Sequence, residues 1–370
     1  MKKILFLSTG LDVGGAETEL VRVVISLKAR GWDIKIVSMR PLYAYADELR
    51  EHGISVETLN MRRGRFDIAA FIRFIKILRS EKPDILNTVM VHANFWGRLT
   101  RLFARVPVLV SSAHNITEGG TVRGWWYRTT DFLCDMTTQV SKTGLRRYIE
   151  NRLVPASKIV YIPNGIDTEK FKRNDAARTR LRRESGLENA FVWLAVGRIE
   201  KAKDYVNMIN AFSSVHGKAG SVLLIAGRKG PAYREVEDLV KRSGVDGAVR
   251  FLGVRTDIAD LMSASDAYVM SSAWEGAPIV LLEAASCELP IVTTAVGENP
   301  ALVLNGVTGF VVPSKSPEKL AKAMDSMMNL PAEDRLRMGQ ESRKHIKKEY
   351  GLTRTVDTWE RLYLRLLEKK

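Results

Sequence analysis

The chain has 370 residues, more than one hydrophobic core usually supports, so two domains of about 150 to 200 residues each are expected. With 45% hydrophobic and 27% charged residues it is neither disordered nor fibrous, and its two cysteines, Cys134 and Cys287, lie in apolar segments that suit neither a disulfide framework nor a Cys-based zinc site. Net charge is +15: residues 1–168 hold 25 Lys/Arg against 16 Asp/Glu (+9) and the rest 32 against 26 (+6), an excess that attracts phosphates, nucleic acid or anionic lipid without distinguishing them.

At the amino end, Ile4 to Leu7 is too short an apolar run for a signal peptide and reads as a first strand. No stretch approaches the roughly eighteen apolar residues of a spanning helix, so the chain is not expected to cross a bilayer, although it could lie on one; the cysteine usage fits a reducing cytoplasm. Short β-branched runs then alternate with helical patterns: Ile34 to Ser38, Ile85 to Thr88, Val108 to Ser111, Met136 to Val140 and Ile159 to Ile162. This rhythm predicts a parallel sheet with crossover helices. The first helix should follow Gly14-Gly15, carry Leu20, Val23, Val24 and Leu27 on one face and stop at Gly31. Residues 167–189 are charged and poor in apolar side chains, which predicts a linker with a short charged helix and a domain boundary near 168.

Alternation resumes with Phe191 to Val196, Val222 to Ala226, Val249 to Phe251, Ala267 to Met270, Ile291 to Thr293 and Phe310 to Val312, a second α/β domain. The tail from about Lys315 is helical, ending near Thr355 to Leu367. Two doubly wound Rossmann-like domains bind ligands at their strand C-termini, so function is expected in a central cleft.

The strongest constellation runs from Glu275 to Ala284, where a strand passes through a turn into a helix. Pro278 suits the first helical turn, and the unpaired amides that open the helix form an anion site. Glu283 falls inside an otherwise apolar helix, so its carboxylate requires hydrogen-bond donors such as ribose hydroxyls. A second signal is Gly197-Arg198 with Lys203 after a strand: a guanidinium fork matches phosphate oxygens, and an ammonium neutralises a leaving diphosphate. Gly14-Gly15 allows close backbone approach but lacks the dinucleotide G-x-G-x-x-G pattern. His114 follows a strand and could hydrogen-bond a sugar hydroxyl. Taken singly, each of these also fits a loop charge, a solvated helix position or a structural histidine.

Together with Ile162-Pro163-Asn164-Gly165-Ile166-Asp167 and Gly306-Val307-Thr308-Gly309-Phe310, these residues resemble family 4 of the retaining glycosyltransferases, which have the GT-B fold. The resemblance implies an acceptor-binding domain over 1–168, on which a C-terminal helix at about 353–370 packs back, and a nucleotide-sugar domain over 169–352. It further implies that Arg198 and Lys203 bind the donor diphosphate, Glu283 the ribose and Glu275 the transferred sugar, with His114 beside that sugar. Gly14, Gly15, Asn164, Gly197, Gly253, Gly276, Ala277, Ile279 and Val280 complete the implied donor site. Gly227-Arg228-Lys229-Gly230-Pro231 and Gly297-Glu298-Asn299-Pro300-Ala301 depart from the family pattern. The implied reaction is retaining transfer of a hexose or N-acetylhexosamine from a nucleotide-diphosphate sugar, UDP-linked by family frequency, with no metal or other cofactor. The sequence contains no Asp-x-Asp.

The acceptor is expected to be a lipid-linked saccharide used in cell-surface polysaccharide synthesis, with the enzyme peripheral on the inner face of the membrane. Arg62, Arg65, Arg73 and Lys76 fall with Arg79 on one helical face beside a wide apolar surface, and Trp125-Trp126 adds aromatic residues suited to a lipid boundary. A sheet-covering helix with a solvated basic face is the other reading. Rival functions are a non-hydrolysing nucleotide-sugar epimerase and, from charge alone, nucleic-acid binding, for which no motif is present.

Overall fold

A computed structural model describes all residues except Met1, Val13, Tyr43, residues 62–66, Thr117, Glu118, Lys218 and Ala219. Arg62 and Arg65 therefore lie outside the described residues. The chain divides into two units, Met1–Gly165 with Leu352–Lys370, and Ile166–Gly351.

The first unit contains a seven-stranded parallel sheet ordered β3-β2-β1-β4-β5-β6-β7. Its strands are β1 (Lys3–Ser8), β2 (Asp33–Ser38), β3 (Ser55–Thr58), β4 (Ile85–Val89), β5 (Val108–Ala113), β6 (Met136–Gln139) and β7 (Ile159–Tyr161). The central strands β1, β4 and β5 are buried on both faces; Ile4 to Leu7 of β1 is an unbroken apolar run, while the buried Asn87, Thr88, Ser111 and Ser112 of β4 and β5 have internal hydrogen-bond partners. The polar edge strand β3 carries no such run and has no counterpart in the sequence reading. The helix Leu352–Leu367 belongs to this unit because Val356, Trp359, Leu362, Tyr363 and Leu366 close its core beside the first helix, Gly15–Ala29. At its margin Arg30 pairs with Asp357 at 2.7 Å and Glu360 at 2.8 Å, and Trp32 Nε1 donates to Glu360 Oε1 at 2.8 Å.

The second unit contains a six-stranded parallel sheet ordered β10-β9-β8-β11-β12-β13. These are β8 (Val192–Val196), β9 (Val222–Ala226), β10 (Val249–Gly253), β11 (Ala267–Met270), β12 (Ile291–Thr294) and β13 (Gly309–Val312). Alternation along β8 sends Trp193 and Ala195 into one core layer and Val192 and Leu194 into the other, so helices cover both faces. In each unit the strand order reverses at the pair β1/β4 or β8/β11, the switch point of a doubly wound sheet, where the following loops diverge and leave a crevice.

The charged segment expected as a linker is integral to the second unit. Its helix Asp175–Glu184 is capped by Asn174, and Arg178 and Arg182 grip Asp266 at 2.6 Å and 3.0 Å. Asp266 also accepts from the Val192 amide at 2.8 Å, and these donors hold its carboxyl below the usual range despite burial. The charges thus serve the fold's own contacts, which composition alone does not reveal.

Candidate active site

In the second unit, the loops after β8, β9, β11 and β12 leave the same edge of the parallel sheet and interlock. The Gly197 amide donates to Ala226 O at 2.9 Å and the Gly227 amide to Gly253 O at 2.7 Å, so three glycines end β8, β9 and β10 side by side. A Cβ on Gly227 would meet Gly197 O at 2.0 Å, and one on Gly230 would meet Ile199 O at 2.3 Å. Glycine is therefore required where these loops cross.

The loop after β11 is tied to the same frame. Ser271 Oγ donates to the carbonyls of Lys203 and Asp204 at 2.9 Å and 2.8 Å, the Ala273 amide to Ala202 O at 2.8 Å, and Thr294 Oγ1 to Ser272 O at 2.7 Å. Gly297, at φ +56, lies against the backbone of Glu275 and Gly276, and the Glu298 amide donates to Gly276 O at 2.9 Å. The departure from the family pattern at Glu298 thus touches the backbone next to Glu275.

Within this frame Lys203 Nζ stands 2.6 Å from Glu275 Oε1, which also accepts from Ser272 Oγ at 2.7 Å. Both side chains are largely covered, at 18% and 14% exposure. The Lys203 stem lies across Gly197, whose missing Cβ would sit 3.2 Å from Lys203 Cε. Arg198 is more exposed and its Nη1 is 3.4 Å from Glu200. Glu283 is buried in the helix Ile279–Ser286. Pro278 is the residue before that helix, in extended conformation, rather than within its first turn. Having no side-chain donor or acceptor, it leaves the helix start uncapped, so the Ile279 and Val280 amides remain suited to an anion. Two tyrosines that sequence reasoning passed over brace the site: Tyr205 donates to Gly197 O at 3.0 Å, and Tyr268 to Val196 O at 3.2 Å. Burial raises both phenols above their usual range, so they act as neutral donors.

The first unit holds the remaining predicted residues. Gly14 precedes the first helix and Gly15 opens it; a Cβ on Gly14 would fall 2.5 Å from Glu17 Oε2. His114 follows β5 and is half-buried, and loss of solvation pushes its imidazole down to about 4, so it is neutral at physiological pH. Asn164 is buried at the end of this unit, next to Gly165, whose amide donates to Glu19 Oε1 at 2.9 Å. Glu19, also missed by the sequence reading, is raised to about 7 by burial, against the opposing effects of the Gly165 amide and Arg22. Its signal was its position four residues before Val23, on a buried face.

The expected basic membrane face is only partly available. Arg73 donates to Leu59 O at 2.7 Å and Arg79 to Phe103 O at 2.8 Å, so carbonyls left at the ends of neighbouring segments hold both guanidiniums. Lys76 is exposed. Trp125 and Trp126 are 57% and 46% exposed on the helix Thr121–Thr129, whose single buried residue, Tyr127, stacks on the Arg98 guanidinium at 4.0 Å.

Residues 13–170 match the family described as Glycosyltransferase Family 4, and residues 177–345 that described as Glycosyl transferases group 1. The chain belongs to the GT-B glycosyltransferases of family 4. Among curated relatives, an Escherichia coli UDP-Gal:alpha-D-GlcNAc-diphosphoundecaprenol alpha-1,3-galactosyltransferase is 26% identical over 82% of this chain and 81% of its own length. N-acetyl-alpha-D-glucosaminyl L-malate synthase of Bacillus anthracis is 27% identical over 63% of this chain and 60% of its own. Among solved structures, Anabaena HepE in complex with UDP-glucose superposes with a TM-score of 0.87 at 22% identity, covering 100% of each chain. This glycosyltransferase therefore has the predicted fold, and none of these matches supports the epimerase reading.

Proposed function

We propose that this glycosyltransferase moves a hexose or N-acetylhexosamine from a UDP-sugar to a lipid-diphosphate-linked saccharide, with retention of anomeric configuration and without a metal ion. The observation that carries the reading is the Lys203–Glu275 pair beside the uncapped start of Ile279–Ser286, at the carboxyl edge of β8 and β11. Relatives support the choice of substrates: the E. coli enzyme is named for UDP-Gal and a GlcNAc-diphosphoundecaprenol acceptor, and HepE was solved with UDP-glucose.

In this reading the helix amides, Arg198 and Lys203 receive the diphosphate, while Glu275 takes hydroxyls of the transferred sugar and Glu283 those of the ribose. Negative charge accumulates on the β-phosphate as the C1–O bond breaks, and fixed cationic and amide donors stabilise it there. The acceptor oxygen bonds to C1 on the face the diphosphate leaves, and the acceptor's proton passes to a departing phosphate oxygen. Neutral His114 would hydrogen-bond the sugar rather than carry charge.

Among the described residues, no three His, Cys, Asp or Glu side chains cluster to hold a metal. No helix of the described residues is long and apolar enough to cross a membrane. The exposed Trp125 and Trp126 suit peripheral contact with the inner face of the cell membrane, where a lipid-linked acceptor would be met.

The test is UDP release from a panel of UDP-sugars with a diphosphate-linked N-acetylglucosamine acceptor, with and without EDTA, and NMR of the product's anomeric proton. Retention, EDTA resistance and loss of turnover in the Arg198→Ala, Lys203→Ala double variant are expected. An inverted product, or full turnover in that variant, would refute the reading.

A further inference from the structure

Directly before Glu275 stands Trp274, with 56% of its surface exposed; it is the one aromatic among the large exposed apolar side chains described in the second unit. Its surroundings are not loose. The Ala273 amide is bonded to Ala202 O, Ser272 O accepts from Thr294, and Gly297 packs on the Glu275 carbonyl. The backbone is thus anchored on both sides of an indole that, among the described residues, neither stacks on another ring nor makes a hydrogen bond. Such a side chain forgoes burial in a loop otherwise held by many contacts, and it does so at the lip of the site.

The two neighbours in sequence differ in where they end up. Glu275 is turned inward onto Lys203 and Ser272, so its carboxylate marks the donor side. Trp274 is displayed toward solvent, where its face is open to a second substrate. A pyranose ring has a face of C–H bonds edged by hydroxyls, and a rigid, flat, apolar indole complements that face while the hydroxyls remain free for polar neighbours.

Resting on the glycosyltransferase reading above, we propose that Trp274 is the platform on which a pyranose ring of the acceptor stacks. It is a positioning and specificity-determining residue for the acceptor and makes no contribution to holding the nucleotide.

The experiment compares wild type with Trp274→Ala and Trp274→Phe. The probe acceptor is a soluble alkyl-diphosphate-linked N-acetylglucosamine, and UDP binding is measured separately by calorimetry. Trp274→Ala should raise the acceptor KM by about tenfold or more, as loss of an aromatic stacking partner does. Trp274→Phe should lie between, and donor KM and UDP affinity should stay within about twofold of wild type. An unchanged acceptor KM in Trp274→Ala overturns the proposal. So does a parallel fall in UDP affinity in both variants, which would make the indole a support for the donor loop. Failure of wild type itself to bind UDP would instead sink the donor assignment, independently of Trp274.

Discussion

Acidification provides a direct test of the environment assigned to His114. Burial lowers its imidazole from an ordinary 6.5 to about 4, a gap of 2.5 units that corresponds to about 3 kcal/mol at 1.36 kcal/mol per unit. For a base depressed in the folded state, the unfolded chain takes up the proton first as pH falls. His114's contribution is therefore intact above pH 6.5 and is lost progressively between 6.5 and 4, with about 2 kcal/mol gone by pH 5. The chain has five histidines, so the Cε1–H resonances can be followed individually by NMR and His114 assigned by its absence in His114→Asn. A midpoint near 4 is expected, and wild type should lose about 2 kcal/mol more unfolding free energy than His114→Asn between pH 7.5 and 5. A signal titrating near 6.5, or equal acid sensitivity in the two proteins, would refute the desolvated, neutral imidazole and reopen a cationic role for it.

Three further outcomes follow from the contacts described. Glu19, raised to about 7, contributes in the opposite sense: its favourable state is protonated, and stability falls as pH rises from 4.5 through 7. Glu19→Gln keeps an acceptor for the Gly165 amide and removes the buried charge, so it should be the more stable protein at pH 8, by up to about 3 kcal/mol in urea unfolding, and lose that advantage near pH 4.5. Gly297→Ala places a Cβ 2.3 Å from Glu275 O, whereas Gly244, at a similar positive φ, has nothing within 4 Å. Each alanine should cost about 1 kcal/mol of backbone strain, but calorimetry with UDP-sugar should show tenfold or greater weakening in Gly297→Ala alone. Replacing exposed Trp125 and Trp126 together with alanine should abolish flotation with anionic liposomes while leaving the melting temperature within about 2 °C of wild type, since neither is buried in the core.

How far the sequence discloses the molecule depends on how local each cause is. Strands such as β1 and β8 are legible because burial on both faces imposes a continuous apolar run. The edge strand β3 is exposed or partly exposed throughout and leaves no such trace. The helix Asp175–Glu184 reads as solvated charge because its partner, Asp266, is more than eighty residues away. At the site, Glu275, Glu283, Arg198 and Lys203 could be picked out by spacing and residue type. The contact of Gly297 with Glu275 could not, because it depends on two loops meeting at one sheet edge.

The same limit hides the pairing of Lys203 with Glu275, although both residues stand out individually. One was assigned to the diphosphate and the other to the sugar, yet without ligand they neutralise each other at 2.6 Å. A largely covered ammonium or carboxylate alone would carry a desolvation cost of several kcal/mol, so the pairing is what permits both to be held ready in a site with little water contact. Under the proposed function, donor binding would exchange partners rather than bury new charge: the diphosphate would take up Lys203, and the carboxylate freed from it would accept hydroxyls. Coupling of this kind favours an intact nucleotide sugar over either half, because only the whole donor satisfies both members of the pair at once.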